Sequence, residues 1–274
     1  MSDFSDWIGR EITRRDTLTP RLMAGFRAAL GGTLAPLDMP PGAEFLLCPD
    51  ICPPAQLGRD GHPRTGLYLP DLPLPRRMWA GGRITRHAPL VEGAEITRHS
   101  TIENVAFKTG RSGRLGFVTL RHLYAIDGET CVTERQDIVY REDPALDAPA
   151  PVLPQAEDWP DAEGQDIATT PTLLFRYSAL TFNGHRIHYD ADYARETEGY
   201  AGLVVHGPLQ AIWMQNLAAR LIGRAPQDFE YRGTAPLICG EPARVEARPD
   251  GEGYALRVRR LADNAITMQG HAGA

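Results

Sequence analysis

Apolar and polar positions follow two different periods along this chain, and the change from one to the other divides it. From residue 78 onward, RITRHAPLV, AEITRHSTIENVAFK, LGFVTLRHLYAI and ETCVTERQDIVYR are rich in β-branched residues and frequently alternate. Such runs read as strands, punctuated by Glu92-Gly93, by glycines between 110 and 116, and by the hairpin signal Asp127-Gly128. A second series follows, in which TPTLLFRYSAL, FEYRGTAPLI, PARVEARPD, YALRVRRLA and AITMQGHA also read as strands. Between the two, DPALDAPAPVLPQAEDWPDAEGQ keeps no apolar period and is rich in proline and acid, so residues 143–165 read as a linker. Residues 1–150 and 166–274 are the units it separates.

Helical spacing occurs in two places. Asp16-Thr17-Leu18-Thr19-Pro20 is a helix-start signal before RLMAGFRAALGG, in which Leu22, Met23, Phe26 and Leu30 share one face. The second helix begins at Gly207-Pro208, where proline suits the first turn because its missing N–H would be an orphan anyway. Leu209, Ile212, Trp213, Leu217 and Leu221 recur at helical spacing and Ala211, Met214, Ala218 and Ile222 fill the other sides, so this helix is buried. Gly223 stops it. Between Asp38 and Pro75 proline and glycine are dense, which predicts irregular loop with one short strand at Phe45-Leu46-Leu47. A loop of this length in a compact protein is functional or disordered.

The hexapeptides APLVEG at Ala88 and APLICG at Ala235 share the pattern A-P-L-x-x-G, and each introduces a run of strands. That echo suggests a duplicated unit. Moving the helix after Gly207 back by the same offset lands in LGRDGHPRTGLYLPDLPLP, where proline forbids a regular helix. The first copy has therefore lost its helix, and the vacated space is available to a substrate.

Composition narrows the classes of function. The 274 residues are 42% hydrophobic and 23% charged, which is globular composition, and the net charge of −6 offers no general attraction to nucleic acid or acidic membranes. The N-terminal MSDFSDWIGREITRRD has no apolar signal core, and no apolar run is long enough to cross a bilayer. Cys48, Cys52, Cys131 and Cys239 are too few for a disulfide scaffold, and no second pair completes a zinc site with Cys48 and Cys52. A cytoplasmic protein with reduced thiols is expected.

The candidate chemistry gathers in RYSALTFNGHRIHYDADYARETEGYAGLVVHGPLQ, residues 176–210. His185 and His188 supply groups matched to proton transfer near neutral pH. Asn183 carries a donor and an acceptor and is able to hold a water, but does not titrate. Gly207 opens the buried helix, where free N–H groups meet the positive end of the dipole and no side chain obstructs a ligand oxygen. His206 precedes it. Taken singly, each histidine is more often a structural hydrogen-bonder, and Gly-Pro is an ordinary way to begin a core helix. The combination points to an active site. A metal site built from His185, His188 and His206 lacks a flanking carboxylate, so no metal is expected.

With Asn183 and His188 separated by four residues and followed by a Gly-rich loop and a buried helix, the stretch resembles the MaoC-like or R-hydratase family of hot-dog enzymes. There the first position is usually Asp. The segment Leu180-Thr181-Phe182-Asn183 before the histidines is closer to one subgroup: mitochondrial-type 3-hydroxyacyl-thioester dehydratases, mesaconyl-C4-CoA hydratases and itaconyl-CoA hydratases. The resemblance implies an α+β double hot-dog, two antiparallel sheets each curled around a helix, with the N-terminal helix degenerate. It also implies an acyl-CoA substrate, no cofactor, and reversible hydration of a 2-enoyl thioester. His188 would be the acid/base, Asn183 the water-holder and Gly207 the oxyanion donor. His185 would either assist or orient its neighbour. For a five-carbon dicarboxylic acyl group, Arg186 is the first candidate to meet the far carboxylate, against an equally good pairing with Asp190; His206 is a further substrate-contact candidate. The rival readings are a dehydratase of fatty-acid synthesis, a thioesterase and a non-catalytic acyl-CoA-binding module. A homodimer is compatible with the family.

Overall fold

A computed structural model describes residues 4–110, 113–143 and 153–273. Its elements in the N-terminal half are β1 (Glu11–Thr17), α1 (Pro20–Leu30), β2 (Arg76–Arg86), β3 (Glu95–Gly110), β4 (Gly113–Ile126) and β5 (Glu129–Arg141). The C-terminal half has β6 (Glu163–Ile167), α2 (Pro171–Thr181), α3 (Gly207–Ile222), β7 (Asp228–Gly233), β8 (Ala243–Asp250), β9 (Gly253–Arg260) and β10 (Ile266–Gly273). The strands form one antiparallel sheet in the order β1-β3-β4-β5-β2-β7-β10-β9-β8-β6. Read inward from the two outer edges, each half repeats the other: first, third, fourth, fifth and second strand in both. The APL echo lies directly after β2 in one half and after β7 in the other, the same point of the repeat.

The two expected sheets are thus joined edge to edge, β2 beside β7, with Gly81 opposite Arg232 and Thr85 opposite Asp228. Asp228 accepts bonds from Arg83 and from Thr85 across this seam. Trp79 Nε1 donates to Tyr231 Oη at 2.9 Å, and an added Cβ at Gly82 would press on that phenol.

Helix α3 fills the concavity of its own half-sheet, packing on β8, β9 and β10 and reaching β2. Its residues Leu209, Ile212, Trp213, Met214 and Leu217 are buried with Val245, Leu256, Val258 and Met268. Gly223 ends it at φ 82°, in the left-handed region. In the N-terminal half no α-helix occupies the corresponding stretch before β2. Leu72 and Leu74 lie there instead and pack with Val118, Leu120, Ile138 and Tyr140, so part of the expected vacancy is filled by the proline-rich loop itself.

Three expectations are corrected. TPTLLFRYSAL is α2, not a strand: Thr170 accepts the Leu173 N–H, Pro171 occupies the first turn, and Leu174, Tyr177 and Ser178 are the buried face. It begins on the same Thr-Pro device as α1, where Thr19 accepts the Leu22 N–H, and the two helices pack on one another. Phe45-Leu46-Leu47 is not a strand. A single 3₁₀ turn covers Ala43–Leu46, bracketed by Gly42 at φ 99° and Cys48 at φ 54°. The linker expected at 143–165 ends earlier, because Glu163 already pairs with Ala247 at the sheet edge; residues 144–152 lie outside the described residues. Among the described residues no helix is long and apolar enough to cross a membrane.

Asn216, fully buried on α3, holds the halves together through main chain: its Oδ1 accepts from Ala35 N–H at 2.9 Å and its Nδ2 donates to Pro41 O at 2.9 Å. Asn216→Ala leaves both groups unpaired without water. We expect a loss of about 3 kcal/mol, read as a lower urea midpoint at unchanged m; an unaltered midpoint would contradict this account.

Candidate active site

Helix α2 ends at Phe182, which turns the chain through φ 51°, and Asn183 N–H closes back on Ser178 O at 2.9 Å. Asn183 Oδ1 then accepts the His185 N–H at 2.9 Å, which leaves its Nδ2 as the group free to act outward. A 3₁₀ turn over Arg186–His188 follows. The main chain of Val204 pins that turn from both directions: its N–H donates to Ile187 O at 2.9 Å, and its carbonyl accepts from His188 Nδ1 at 2.7 Å. Val205 N–H in turn donates to Leu237 O in the second APL segment at 2.8 Å. The echo seen in the sequence thus supports the site from behind.

The bond to Val204 O fixes the tautomer of His188. A carbonyl only accepts, so Nδ1 carries the proton and Nε2 is the basic nitrogen. The ring is stacked on His206, centroids 3.5 Å apart at 20°, and stands edge-on to His185 at 5.4 Å. His206 shares a 2.8 Å hydrogen bond between Nε2 and Ser178 Oγ and meets the edge of Tyr177. Its Nδ1 is buried without a partner. The next residue, Gly207, begins α3, whose N-cap His206 supplies no side-chain cap. The first-turn amides of α3 therefore lie beside the imidazole stack, and an added Cβ at Gly207 would meet only ordinary contacts, the nearest being Trp79 O.

Sequence reasoning missed a fourth member. His62, from the proline-rich loop of the N-terminal half, brings its ring to 4.5 Å from that of His185. The loop is clamped there by main chain. Arg186 N–H donates to Asp60 O at 2.8 Å, Asp60 Oδ1 accepts the His62 N–H at 3.1 Å, and Arg77 Nε donates to Asp60 Oδ2 at 2.9 Å. Gly61 approaches Gly184 so closely that a Cβ on Gly184 would sit 2.8 Å from Gly61 O, and one on Gly61 would collide with Gly184 O. The signal for His62 was a histidine within a glycine- and proline-dense loop. Ser178 and Tyr177 were hidden by reading α2 as a strand.

Arg186 takes the alternative foreseen for it: Nη2 and Nε donate to Asp190 at 2.7 and 3.1 Å, Nη1 donates to Arg59 O, and the guanidinium lies over Tyr193. Among the described residues no group of three or more histidine, cysteine or acidic side chains is set to hold a metal ion.

Burial pushes His188 down to about 4, against a smaller upward pull from the bond to Val204. Burial likewise pushes His62, His185 and His206 well below the usual histidine range, with neighbouring charges adding to it: Arg77 and His188 for His62, His62 and His188 for His185, and His188 and His185 for His206. All four are neutral bases at pH 7. Because the unfolded chain protonates its histidines near 6.5, it binds more protons than the folded one below that value. Stability is therefore lost as pH falls from about 6.5 toward 4, by up to ~1.4 kcal/mol per pH unit for each such histidine. His122, pushed by burial to about 3, adds to this; Glu134, raised by burial to about 7, acts with the opposite sign. Urea unfolding at pH 7.5 and pH 5 should show the net loss, and equal midpoints would refute it.

A family model described as hydroxyacyl-thioester dehydratase type 2 matches residues 42–239. The mesaconyl-C(4)-CoA hydratase of Chloroflexus aurantiacus is 42% identical over 255 residues, 92% of this chain and 91% of that protein. The mitochondrial hydroxyacyl-thioester dehydratase type 2 of Schizosaccharomyces pombe is 27% identical over 240 residues, 76% of this chain and 77% of its own length. In fold, the chain is similar to a Mycobacterium tuberculosis protein solved as a double hotdog, with 15% identity, a TM-score of 0.59, and 97% and 95% of the two chains covered. The model match spans most of the chain and includes every residue of the histidine cluster, so the protein is a double hot-dog hydro-lyase that belongs to the hydroxyacyl-thioester dehydratase type 2 family.

Proposed function

We propose that the chain catalyses the reversible hydration of a 2-enoyl-CoA thioester, with a five-carbon dicarboxylic acyl group of the mesaconyl-C4 kind as its substrate. The observation that carries the reaction is the fixed tautomer of His188, a neutral base beside the open start of α3. The acyl group follows from the 42% identity to the Chloroflexus aurantiacus hydratase along almost the whole of both chains. Residues 166–274 supply the acid/base machinery, and residues 1–150 close the substrate space over it.

The chemistry divides among named groups. His188 Nε2 takes a proton from water as the water oxygen bonds to the β-carbon of the enoyl group. The alkene electrons move toward the thioester, whose oxygen gains enolate charge. The Gly207 N–H and the positive end of α3 receive that charge. The α-carbon then takes a proton from the imidazolium of His188, which restores the neutral base. Asn183 Nδ2 donates to the attacking water and aims it, since its Oδ1 is occupied by the His185 N–H. His185 stands edge-on to His188 and orients it; His206 supports the same ring from the stacked side.

The dehydratase direction has support of its own in the match to the dehydratase family model and in the fission-yeast relative. The groups are the same and the substrate supplied decides between the directions. Incubating the protein with mesaconyl-C4-CoA, itaconyl-CoA and crotonyl-CoA and following product mass tests the reading. A gain of one water is expected. Release of free CoA would make it a thioesterase, and no turnover would make it a binder.

Two variants test the roles. His188→Ala is expected to lower kcat by about a hundred- to ten-thousandfold in a folded protein. Asn183→Ala should lower kcat more than it raises KM, because a water-aiming contact matters most in the transition state. With His188 neutral down to about 4, kcat/KM should stay level from pH 8 to 6 rather than fall through the ordinary histidine value; an acid limb centred near 6.5 would remove His188 as the base.

A further inference from the structure

We propose that His62, with Arg77 behind it, receives the free carboxylate of the acyl group, so that the N-terminal half sets substrate specificity. The inference rests on the dicarboxylic substrate proposed above. In a mesaconyl-C4 thioester the free carboxylate is bonded to the alkene carbon β to the thioester, the same carbon that takes the hydroxyl. Its counter-group must therefore stand within a side chain's length of the base that delivers water. A cation at the far end of a long pocket cannot serve.

Two arginines that pair with carboxylates of the catalytic segment are committed there. Arg186 is held by Asp190 and Arg59 O. Arg76 is buried against Glu198, its Nε donating at 2.6 Å, with Tyr200 under its guanidinium. His62 differs from both. Its ring stands 4.5 Å from His185, half-buried, and neither ring nitrogen has a hydrogen-bond partner among the described residues. An imidazole so placed offers an N–H to a carboxylate that lies beside it and His185, at the edge of the cluster.

Arg77 gives the position its positive field. Its Nε and Nη2 donate to Asp60, Nη2 also to Pro63 O at 2.6 Å, and Nη1 takes part in none of these bonds. The charge is close enough to push His62 down, whereas at His185 the Asp60 carboxylate pulls upward more than Arg77 pushes down. The groups facing His62 are thus Arg77 and Asp60 from β2 and its own loop, and His185 and His188 from the catalytic segment. A substrate carboxylate arriving there replaces solvent with one imidazole donor and the field of a fixed guanidinium, a setting that favours an anion. The construction is rigid: the Gly61–Gly184 approach and the Arg186 N–H to Asp60 O bond tie the loop to the catalytic segment, so His62 is held in register with His185 and His188. A neutral straight-chain enoyl thioester has nothing to place at this point and gains little from it.

The test compares mesaconyl-C4-CoA with crotonyl-CoA in the wild-type protein, His62→Phe and His62→Arg, with thermal unfolding to verify the fold. His62→Phe keeps a ring but no donor and should raise KM for mesaconyl-C4-CoA by about ten- to a hundredfold, the worth of a hydrogen bond to a charged group. Its effect on crotonyl-CoA should be much smaller, and kcat should change less than KM on both substrates. His62→Arg restores N–H donors, adds a charge that the neutral imidazole lacks, and should recover most of the loss on mesaconyl-C4-CoA alone. Equal losses on both substrates in either folded variant would make His62 a general structural residue and overturn the assignment, as would an unchanged KM. A wild-type protein that hydrates crotonyl-CoA but not mesaconyl-C4-CoA would overturn the dicarboxylic reading itself, and this inference with it.

Discussion

The imidazoles of His185, His188 and His206, packed out of water, can persist only uncharged, and much of the architecture around them follows from that requirement. An imidazolium in the stack of His188 on His206 would lose its hydration and face the positive end of α3. The helix start that disfavours the cation is the same feature that suits an enolate-like oxygen. In the proposed reaction, keeping the base neutral and stabilising the developing anion would therefore be one electrostatic arrangement. Val204 O, Ser178 Oγ and the ring edge of Tyr177 give the stack fixed partners without adding charge.

The two halves share a strand order and a Thr-Pro helix start, yet differ where function needs them to differ. Before β7 the chain forms α3; before β2 it runs as a loop dense in proline. A helix there would have kept its residues on its own half-sheet. The loop instead extends across to the other half and is accepted because Gly61 and Gly184 have no side chains to keep the main chains apart. Loss of one core element and gain of a shared site are the same structural event. Leu72 and Leu74 then restore the burial that the absent helix would have provided.

The long strands were legible in the sequence because each alternates over many residues, and α3 because its apolar face, proline and glycine agree with one another. β1 was not legible: EITRRDT carries too much charge on both faces to stand out, and it is a strand because β3 offers it partners. In α2 the run Leu173-Leu174-Phe175 imitates a strand, while Phe175 is in fact largely exposed and the buried face is Leu174, Tyr177 and Ser178. At the candidate site, the proximity of Asn183, His185, His188 and Gly207 was legible from local spacing, since one loop and one helix start hold them all. His62 and Ser178 were not, because the contacts that bring them in join segments far apart in the chain. The same holds for the choice Arg186 makes in favour of Asp190, which only coordinates resolve.

The seam between β2 and β7 also bears on how the protein is made. During synthesis β2 is complete long before Asp228–Gly233 leaves the ribosome, so the N-terminal half exists for a time with an open sheet edge at its centre. Such an edge invites pairing with other nascent chains. Arg76 and Arg83 lie along this strand and meet their carboxylates, Glu198 and Asp228, only in the later half, so until then their repulsion hinders two copies from joining there. When β7 arrives, Asp228 answers Arg83, and the repulsive edge becomes an attractive one. The charges that fasten the finished molecule are thus also guards of the unfinished one.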